Sequence, residues 1–189
     1  LAYNEKVLFE NQSMHKFFFD HMLWTTQDAT KNLLGFPIGA LELPPPIRAL
    51  WPAFRHWSVI SALTSLGFEN GIVFGNTPIY ASGAVLACLT LEDRSAQEFL
   101  RVGHIAERIW LTATHLGLSV QILTGIPLLM NRVVANEPGL SPAHSNIVTK
   151  QYGRLQEATG STRIIALLLR IGVSNPPSAR TPRMAPLIA

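Results

Sequence analysis

The chain begins with hydrophobic residues at helical spacing. Between residues 4 and 25, apolar side chains roughly follow a repeat of three to four residues, and Asn4 is in position to cap a helix there. Helical patterns also occupy residues 53–66 and 143–158. We therefore expect one long amphipathic helix at the start and two shorter helices further on.

Residues 95–117 carry the clearest helical pattern. Ser95 and Glu98 have the spacing of a capping box, and Gly117 follows the last apolar position, where helices commonly end. Gly103 lies inside this helix, at a cost of about 1 kcal/mol relative to Ala. We interpret Gly103 as a place where another helix or a ligand closely approaches the backbone.

Nearly continuous apolar runs predict the strands. Residues 71–91 are expected to form two extended segments around Asn76–Pro78, and the second of them, 83–91, is typical of a strand buried on both faces. The run at 162–173 has the same character, and 118–129 is expected to be extended or loop-like. These elements together predict an α+β fold in which helices pack around a mixed sheet.

Glycine and proline interrupt residues 31–52, although the segment keeps many apolar side chains. This pattern predicts an ordered loop. Two interpretations remain open, a lid or arm over a neighbouring surface and a surface loop without a function.

Composition narrows the class of protein. The 189 residues are 48% hydrophobic and 14% charged, which is typical of one globular domain whose apolar surface is partly covered by a partner or ligand. The net charge is +3, and the basic residues are scattered, which argues against nucleic-acid binding. No apolar run is long enough to span a membrane. A single cysteine, Cys88, excludes an intrachain disulfide and favours a reducing, cytoplasmic location.

Short catalytic motifs are missing from the sequence. It contains no nucleophile elbow, no phosphate-binding loop, no dinucleotide-binding glycine pattern and no zinc-protease motif. Of the six histidines, His104 and His115 share a predicted helix but lie three turns apart, too far to hold one metal ion. We therefore predict no catalytic acid or base and no metal site.

Two segments remain as candidate binding sites. Leu123, Thr124 and Gly125 form either a simple connection or a backbone segment whose N–H groups approach a flat ligand. Arg180 and Arg183 belong either to a solvated basic tail or to an anion site, since the prolines around them stiffen the chain and a guanidinium suits phosphate.

A resemblance to a known family connects these segments. "FLRVGHIAERIWLTATHLGLSVQILTG" resembles the long central helix and following turn of the nitroreductase-like flavoproteins, with an internal glycine at Gly103. "IIALLLRIGV" resembles the late strand of that family, and "PPSARTPRM" resembles its proline-rich basic tail. The likeness covers roughly Ala81 to Met184. The stretch "FFFDHMLWTTQDATKNLLGFPIGALEL" is similar to a divergent branch built from two fused lobes.

The resemblance implies a nitroreductase-like α+β fold with a mixed central β-sheet flanked by helices, and bound FMN. It implies that the backbone of Leu123, Thr124 and Gly125 contacts the edge of the flavin ring, and that Arg180 or Arg183 holds the phosphate. NAD(P)H would be the reductant, and a nitroaromatic or quinone-like small molecule the electron acceptor. The family's N-terminal Arg-Arg-Ser-x-Arg-like stretch has no counterpart here, which implies a homodimer, a missing N-terminal lobe or degraded flavin binding.

The expected organisation is a nitroreductase-like domain over 1–173, with a divergent helical or lid part at 1–80 and a core at 81–173. Residues 174–189 form a C-terminal tail. Besides an FMN-dependent oxidoreductase, two other functions remain open: a non-catalytic flavin-binding or flavin-sequestering protein with a lid over FMN, and a flavin-free interaction domain.

Overall fold

The fold is α+β. A computed structural model describes residues 1–25, 27–28, 34–177 and 179–180. The described elements are, in chain order, α1 (Tyr3–Glu10), α2 (Gln12–Asp20), β1 (Met22–Leu23), β2 (Phe36–Pro37), a 3-10 helix (Ile38–Leu41), α3 (Pro45–Phe54), α4 (Trp57–Thr64), α5 (Phe68–Ala81), β3 (Val85–Leu91), α6 (Ala96–His115), β4 (Ser119–Leu123), α7 (Gly125–Val134), α8 (Pro142–Thr159) and β5 (Ile164–Gly172).

The chain divides into two compact units. The first comprises Leu1–Val7 and Glu69–Ser174, and the second comprises Leu8–Phe68 with the described residues after Ser174. In the described residues, no helix combines the length and apolar content that a membrane crossing requires.

The first unit is built on a three-stranded sheet with strand order β3-β5-β4. β5 runs antiparallel to both neighbours, pairing Ile171 with Val85 on one side and Leu168 with Leu123 on the other. The expectation of a mixed central sheet is therefore wrong, because β5 separates the two strands that share a direction. β3 is an edge strand, and its Val85 and Leu86 are exposed. The prediction of a strand buried on both faces is therefore wrong for β3 and confirmed for β5.

Helices cover both faces of this sheet. α6 packs on one face, where Leu91, Val102 and Ala166 form a buried cluster. α7 and α8 supply the other face, whose cluster consists of Leu123, Ile126, Tyr152, Ile165 and Leu168. A β-bulge decides which β5 residue faces which helix, because Leu89 pairs with Leu167 while Thr90 pairs with Ile165, leaving Ala166 unpaired.

The predicted helix at 95–117 is confirmed as α6. The Ser95 side chain accepts a hydrogen bond from the Glu98 amide at 3.3 Å, and Gly117 adopts a φ of +72° just after the helix. The capping box is incomplete, because the Glu98 carboxylate accepts from the Glu92 amide instead. No described helix approaches Gly103, since a Cβ built there meets no described atom within 4 Å, and the approach of a ligand stays a prediction.

The single helix predicted over 4–25 is wrong. α1 ends at Glu10, and Asn11 adopts an extended conformation whose side chain accepts from the Met14 amide at 3.0 Å, so a new helix starts there. Asn4 does not cap α1, which already begins at Tyr3. The chain then turns into β1, which pairs in parallel with β2.

Prolines mark further differences from the sequence predictions. The loop expected over 31–52 becomes helix α3 from Pro45 onward, and residues 31–33 lie outside the described residues. The first extended segment of 71–91 is instead part of helix α5, which contains Pro78. The stretch 118–129 is extended only in β4, because α7 begins at Gly125. The helices predicted near 53–66 and 143–158 are confirmed by α4 and α8.

The second unit has a core of aromatic rings. His15 is buried within it, and its Nε2 donates to the carbonyl oxygen of Phe54 over 2.8 Å. The His15 ring packs 4.6 Å from Phe19 and 5.4 Å from Trp57, measured between ring centroids. Removal from water lowers the pKa of His15, which favours the neutral ring in the folded core.

Candidate functional site

Leu123, Thr124 and Gly125 lie together where β4 ends and α7 begins. Leu123 is buried in the core cluster, while Thr124 and Gly125 are half-buried. Thr124 occupies the N-cap position of α7, but its side chain makes no capping hydrogen bond. Its carbonyl accepts from the Leu128 amide at 2.9 Å, which fixes the first turn of the helix.

Backbone donors are concentrated at this turn. The first amides of a helix have no acceptor within the helix, which here concerns Gly125 and Ile126. The third residue, Pro127, carries no N–H. The helix dipole adds a partial positive charge at the same place. Of these two residues, Ile126 is buried and Gly125 is half-buried, so the Gly125 amide is the better placed of the two to donate to an electron-rich atom of a ligand.

Asn4 closes one side of this turn. A Cβ on Gly125 would lie 2.6 Å from Cγ of Asn4, so glycine is needed for the α1 side chain to approach this closely. One of the two interpretations of the sequence expected a close approach to Gly125, and it assigned that approach to a ligand. The separation of Asn4 and Gly125 along the chain left no local signal for their contact.

A half-buried acid, Glu5, follows Asn4 in α1 and contacts a half-buried phenol, Tyr80 of α5. The Tyr80 hydroxyl donates to the Glu5 carboxylate, and the other carboxylate oxygen of Glu5 is buried without a described partner. Burial raises the pKa of Glu5, and burial together with the bond to Glu5 raises the pKa of Tyr80. Sequence analysis missed this pair, because its residues lie on separate helices and match no motif.

Of the two predicted phosphate ligands, the structure describes Arg180 and leaves Arg183 outside the described residues. Arg180 is exposed and belongs to the second unit, whereas the turn belongs to the first. Arg180 is thus open to solvent. That it binds the same ligand as the turn at Leu123–Gly125 stays a prediction.

A separate groove of about 400 Å³ opens in the first unit beside the second half of α6. It lies near the start of β3 and the end of β5, and its apolar wall is formed by Val85, Ile109, Ala113, Leu116, Leu118 and Ile171. Arg108 and Thr112 complete the lining. Sequence analysis placed Ile109, Ala113 and Leu116 on one apolar stripe but did not single out Arg108.

Metal-ligating side chains and the single cysteine are the other candidates for a reactive site. Among the described residues, no cluster of three or more His, Cys, Asp or Glu side chains is arranged to hold a metal ion. Cys88 is half-buried against the core of the first unit, and burial raises the pKa of its thiol. A raised thiol pKa disfavours the nucleophilic thiolate.

Comparisons with protein-family models, curated proteins and solved structures find no match to this chain. The assignment of function therefore depends on the geometry of these residues and on the family resemblance of the sequence.

Proposed function

We propose that this chain is an FMN-dependent oxidoreductase of the nitroreductase type, which uses NAD(P)H to reduce nitroaromatic or quinone-like acceptors. The observation that carries the proposal is the turn from β4 into α7. There Leu123, Thr124 and Gly125 meet the N-terminus of a helix, at the position the family resemblance assigns to the flavin ring.

The residues of this turn suit a flavin. The amide of Gly125, a half-buried residue, would donate to a carbonyl or ring-nitrogen acceptor along the edge of the isoalloxazine, and the helix dipole would favour negative charge there. Leu123 and Ile126 anchor the turn in the core, so the donor is held in place. Bound FMN would supply the hydride-transfer chemistry, and the protein would supply binding and orientation.

Arg180 and Arg183 are the proposed phosphate ligands. A guanidinium presents a planar fork of N–H donors that matches phosphate oxygens. The exposure of Arg180 is consistent with this role, because its donors are accessible to a ligand. The proposal also includes further contacts with FMN from a second subunit or from another lobe of the protein.

A homodimer is part of the proposal. Leu100 and Leu111 are 67% and 64% exposed and lie on the same side of α6, opposite the side that faces the sheet. An apolar surface of this kind is typical of an interface. Light scattering coupled to gel filtration should give twice the chain mass, and a monomer would contradict this part.

The first test of the proposal is FMN binding. The purified protein should take up FMN, and Arg180→Ala combined with Arg183→Ala should weaken that binding by at least about tenfold, because charged hydrogen bonds contribute about 1.5–3 kcal/mol each. Arg101→Ala is a matched control, since Arg101 pairs with Glu98 on the exposed side of α6. Failure to bind FMN would contradict every flavin function, and unchanged affinity in the double variant would return the tail to a solvated terminus.

The second test separates the enzyme from a flavin-sequestering protein. With FMN bound, the oxidoreductase should consume NADPH or NADH when a quinone or nitroaromatic compound is added. FMN binding without any consumption would favour the non-catalytic alternative, with "LLGFPIGALELPPP" (residues 33–46) as its proposed lid, of which residue 33 lies outside the described residues.

A further inference from the structure

The groove beside α6 has an aliphatic wall that is open to water. Val85 and Leu116 are 54% and 66% exposed, and Ile109, Leu118 and Ile171 continue the surface between them. Covering such side chains releases water at a gain of about 25 cal/mol for each Å² of apolar surface. The wall therefore favours a ligand with an apolar body.

A basic residue, Arg108, belongs to the lining of the groove, although almost all of the lining surface is apolar. Arg108 is the only charged side chain among the described residues that line the groove, and it forms no ion pair with another described residue. By contrast, Arg101 pairs with Glu98 at 2.7 Å and Arg132 pairs with Glu137 at 3.0 Å. The guanidinium of Arg108 is thus available to an anion, with no carboxylate lining the groove to compete.

The neighbouring hydroxyl narrows the ligand further. Thr112 Oγ1 donates to the carbonyl oxygen of Arg108 at 2.8 Å, so its proton is already used. The anionic group of a ligand would bind the guanidinium alone. A carboxylate, with two oxygens in one plane, matches the planar fork of an arginine.

The volume of this open groove sets a scale for the apolar body without enclosing it. About 400 Å³ lies toward the lower end of the range for small-molecule sites, which is about 300–1,000 Å³. A saturated chain of about ten carbons is of this scale. The combination points to a small amphipathic carboxylate.

We propose that the groove between α6 and the adjoining ends of β3 and β5 binds a medium-chain or aromatic monocarboxylate. Its apolar body lies along Val85, Ile109, Leu116 and Ile171, and its carboxylate pairs with Arg108. The site shares no residue with the turn at Leu123–Gly125, which leads to α7 on the opposite face of the sheet. It therefore does not depend on the proposed FMN binding.

The proposal is tested by titrating decanoate below its micellar concentration and measuring binding by calorimetry, with and without FMN. Decanoate should bind in both cases, while decanol and decyltrimethylammonium should bind at least about tenfold more weakly, since they lack the charge that pairs with Arg108. Equal binding of the three compounds, or no binding of decanoate up to millimolar concentration, would overturn the proposal.

Variants locate the site. Arg108→Gln should weaken decanoate binding by about tenfold or more and leave decanol binding unchanged, whereas Arg101→Gln, on the same helix but outside the groove, should change neither. Thr112→Trp places a large ring in the groove from an exposed position and should abolish decanoate binding. Circular dichroism checks that each variant is folded. Full decanoate affinity in folded Arg108→Gln or Thr112→Trp would contradict this location.

Discussion

At the scale of single residues, two glycines show how different the reasons for a glycine can be. Gly103 and Gly125 both lie in helices; a close approach was expected at Gly103 and was one of two interpretations at Gly125. Within the described residues only Gly125 has such an approach, to the side chain of Asn4, whereas the space beside Gly103 is open. The sequence could locate both glycines but could not distinguish them, because the difference depends on a residue far away along the chain.

Substitution of the two glycines should therefore have opposite effects. Gly125→Ala should lower the free energy of unfolding by about 1–3 kcal/mol, since the new methyl group overlaps Asn4. Gly103→Ala should raise it by about 1 kcal/mol, because alanine is the better helix former and nothing opposes it. Urea denaturation of both variants measures these changes.

A double variant tests the cause of the Gly125 effect. Asn4→Gly removes the whole overlapping side chain, including a Cβ that would lie 2.8 Å from the new methyl group, so Gly125→Ala should cost nothing in that background. An undiminished cost in the double variant would rule out Asn4 as the reason. A destabilising Gly103→Ala would reveal a neighbour of α6 such as a partner subunit.

His15 should make stability depend on pH. Its folded pKa is lowered by burial, so below the ordinary pKa of about 6.5 the unfolded chain binds a proton that the folded chain does not. Stability should therefore be full above this pH and fall as the pH drops toward the lowered value, by at most about 1.4 kcal/mol per pH unit from this group.

Denaturation between pH 5 and 8 measures this dependence. His15→Gln should be less stable at neutral pH but should show a smaller slope, and His104→Gln, at an exposed position of α6, serves as the control. The same slope in wild type and His15→Gln would show that other groups are responsible.

At the scale of elements, helix starts explain much of what sequence reasoning missed. Pro45, Pro127 and Pro142 all lie in the first turn of a helix, where a missing N–H costs nothing. Treating prolines as loop markers hid α3 and α7, whereas α8 was predicted from its own apolar pattern. α6 and β5 were predicted correctly because one has a capping residue and a long amphipathic stripe and the other is apolar throughout.

The bulge in β5 was not predictable from the strand pattern, and one hydroxyl stabilises it. The Ile165 amide donates to the buried hydroxyl of Tyr152 at 2.7 Å. Tyr152→Phe would leave this amide without its acceptor and should lower the free energy of unfolding by about 1–3 kcal/mol. Tyr3→Phe is a suitable control, because within the described residues its hydroxyl makes no hydrogen bond. Thermal denaturation gives the comparison, and equal loss in both variants would contradict a role for this bond.

At the scale of the whole molecule, the candidate site was predicted in part. The turn at Leu123–Gly125 follows from the end of an apolar run and a glycine, which are local features. The contact with Asn4, the Glu5–Tyr80 pair and the groove at Arg108 arise only when separate elements meet. Their chemistry depends on how deeply the side chains are buried and on which groups lie beside them. A local sequence pattern contains neither kind of information.

The sheet should depend on its last strand. β3 and β4 each pair only with β5 in the described sheet, so a chain ending at Ser161 should lose the sheet and its cooperative unfolding. A chain ending at Ser174 keeps β5 and should retain both. Far-ultraviolet circular dichroism with thermal melting checks this, and a cooperative melt of the shorter chain would contradict it.

The central position of β5 also has a consequence for protein synthesis. The ribosome makes β3 and β4 first, yet neither has a pairing strand until Ile164–Gly172 has left the exit tunnel. At about 5–20 residues per second, the apolar faces of both strands wait for seconds in a nascent chain that cannot complete its sheet. Chaperones that bind nascent apolar segments should therefore contact these strands, and the sheet should form only late in translation.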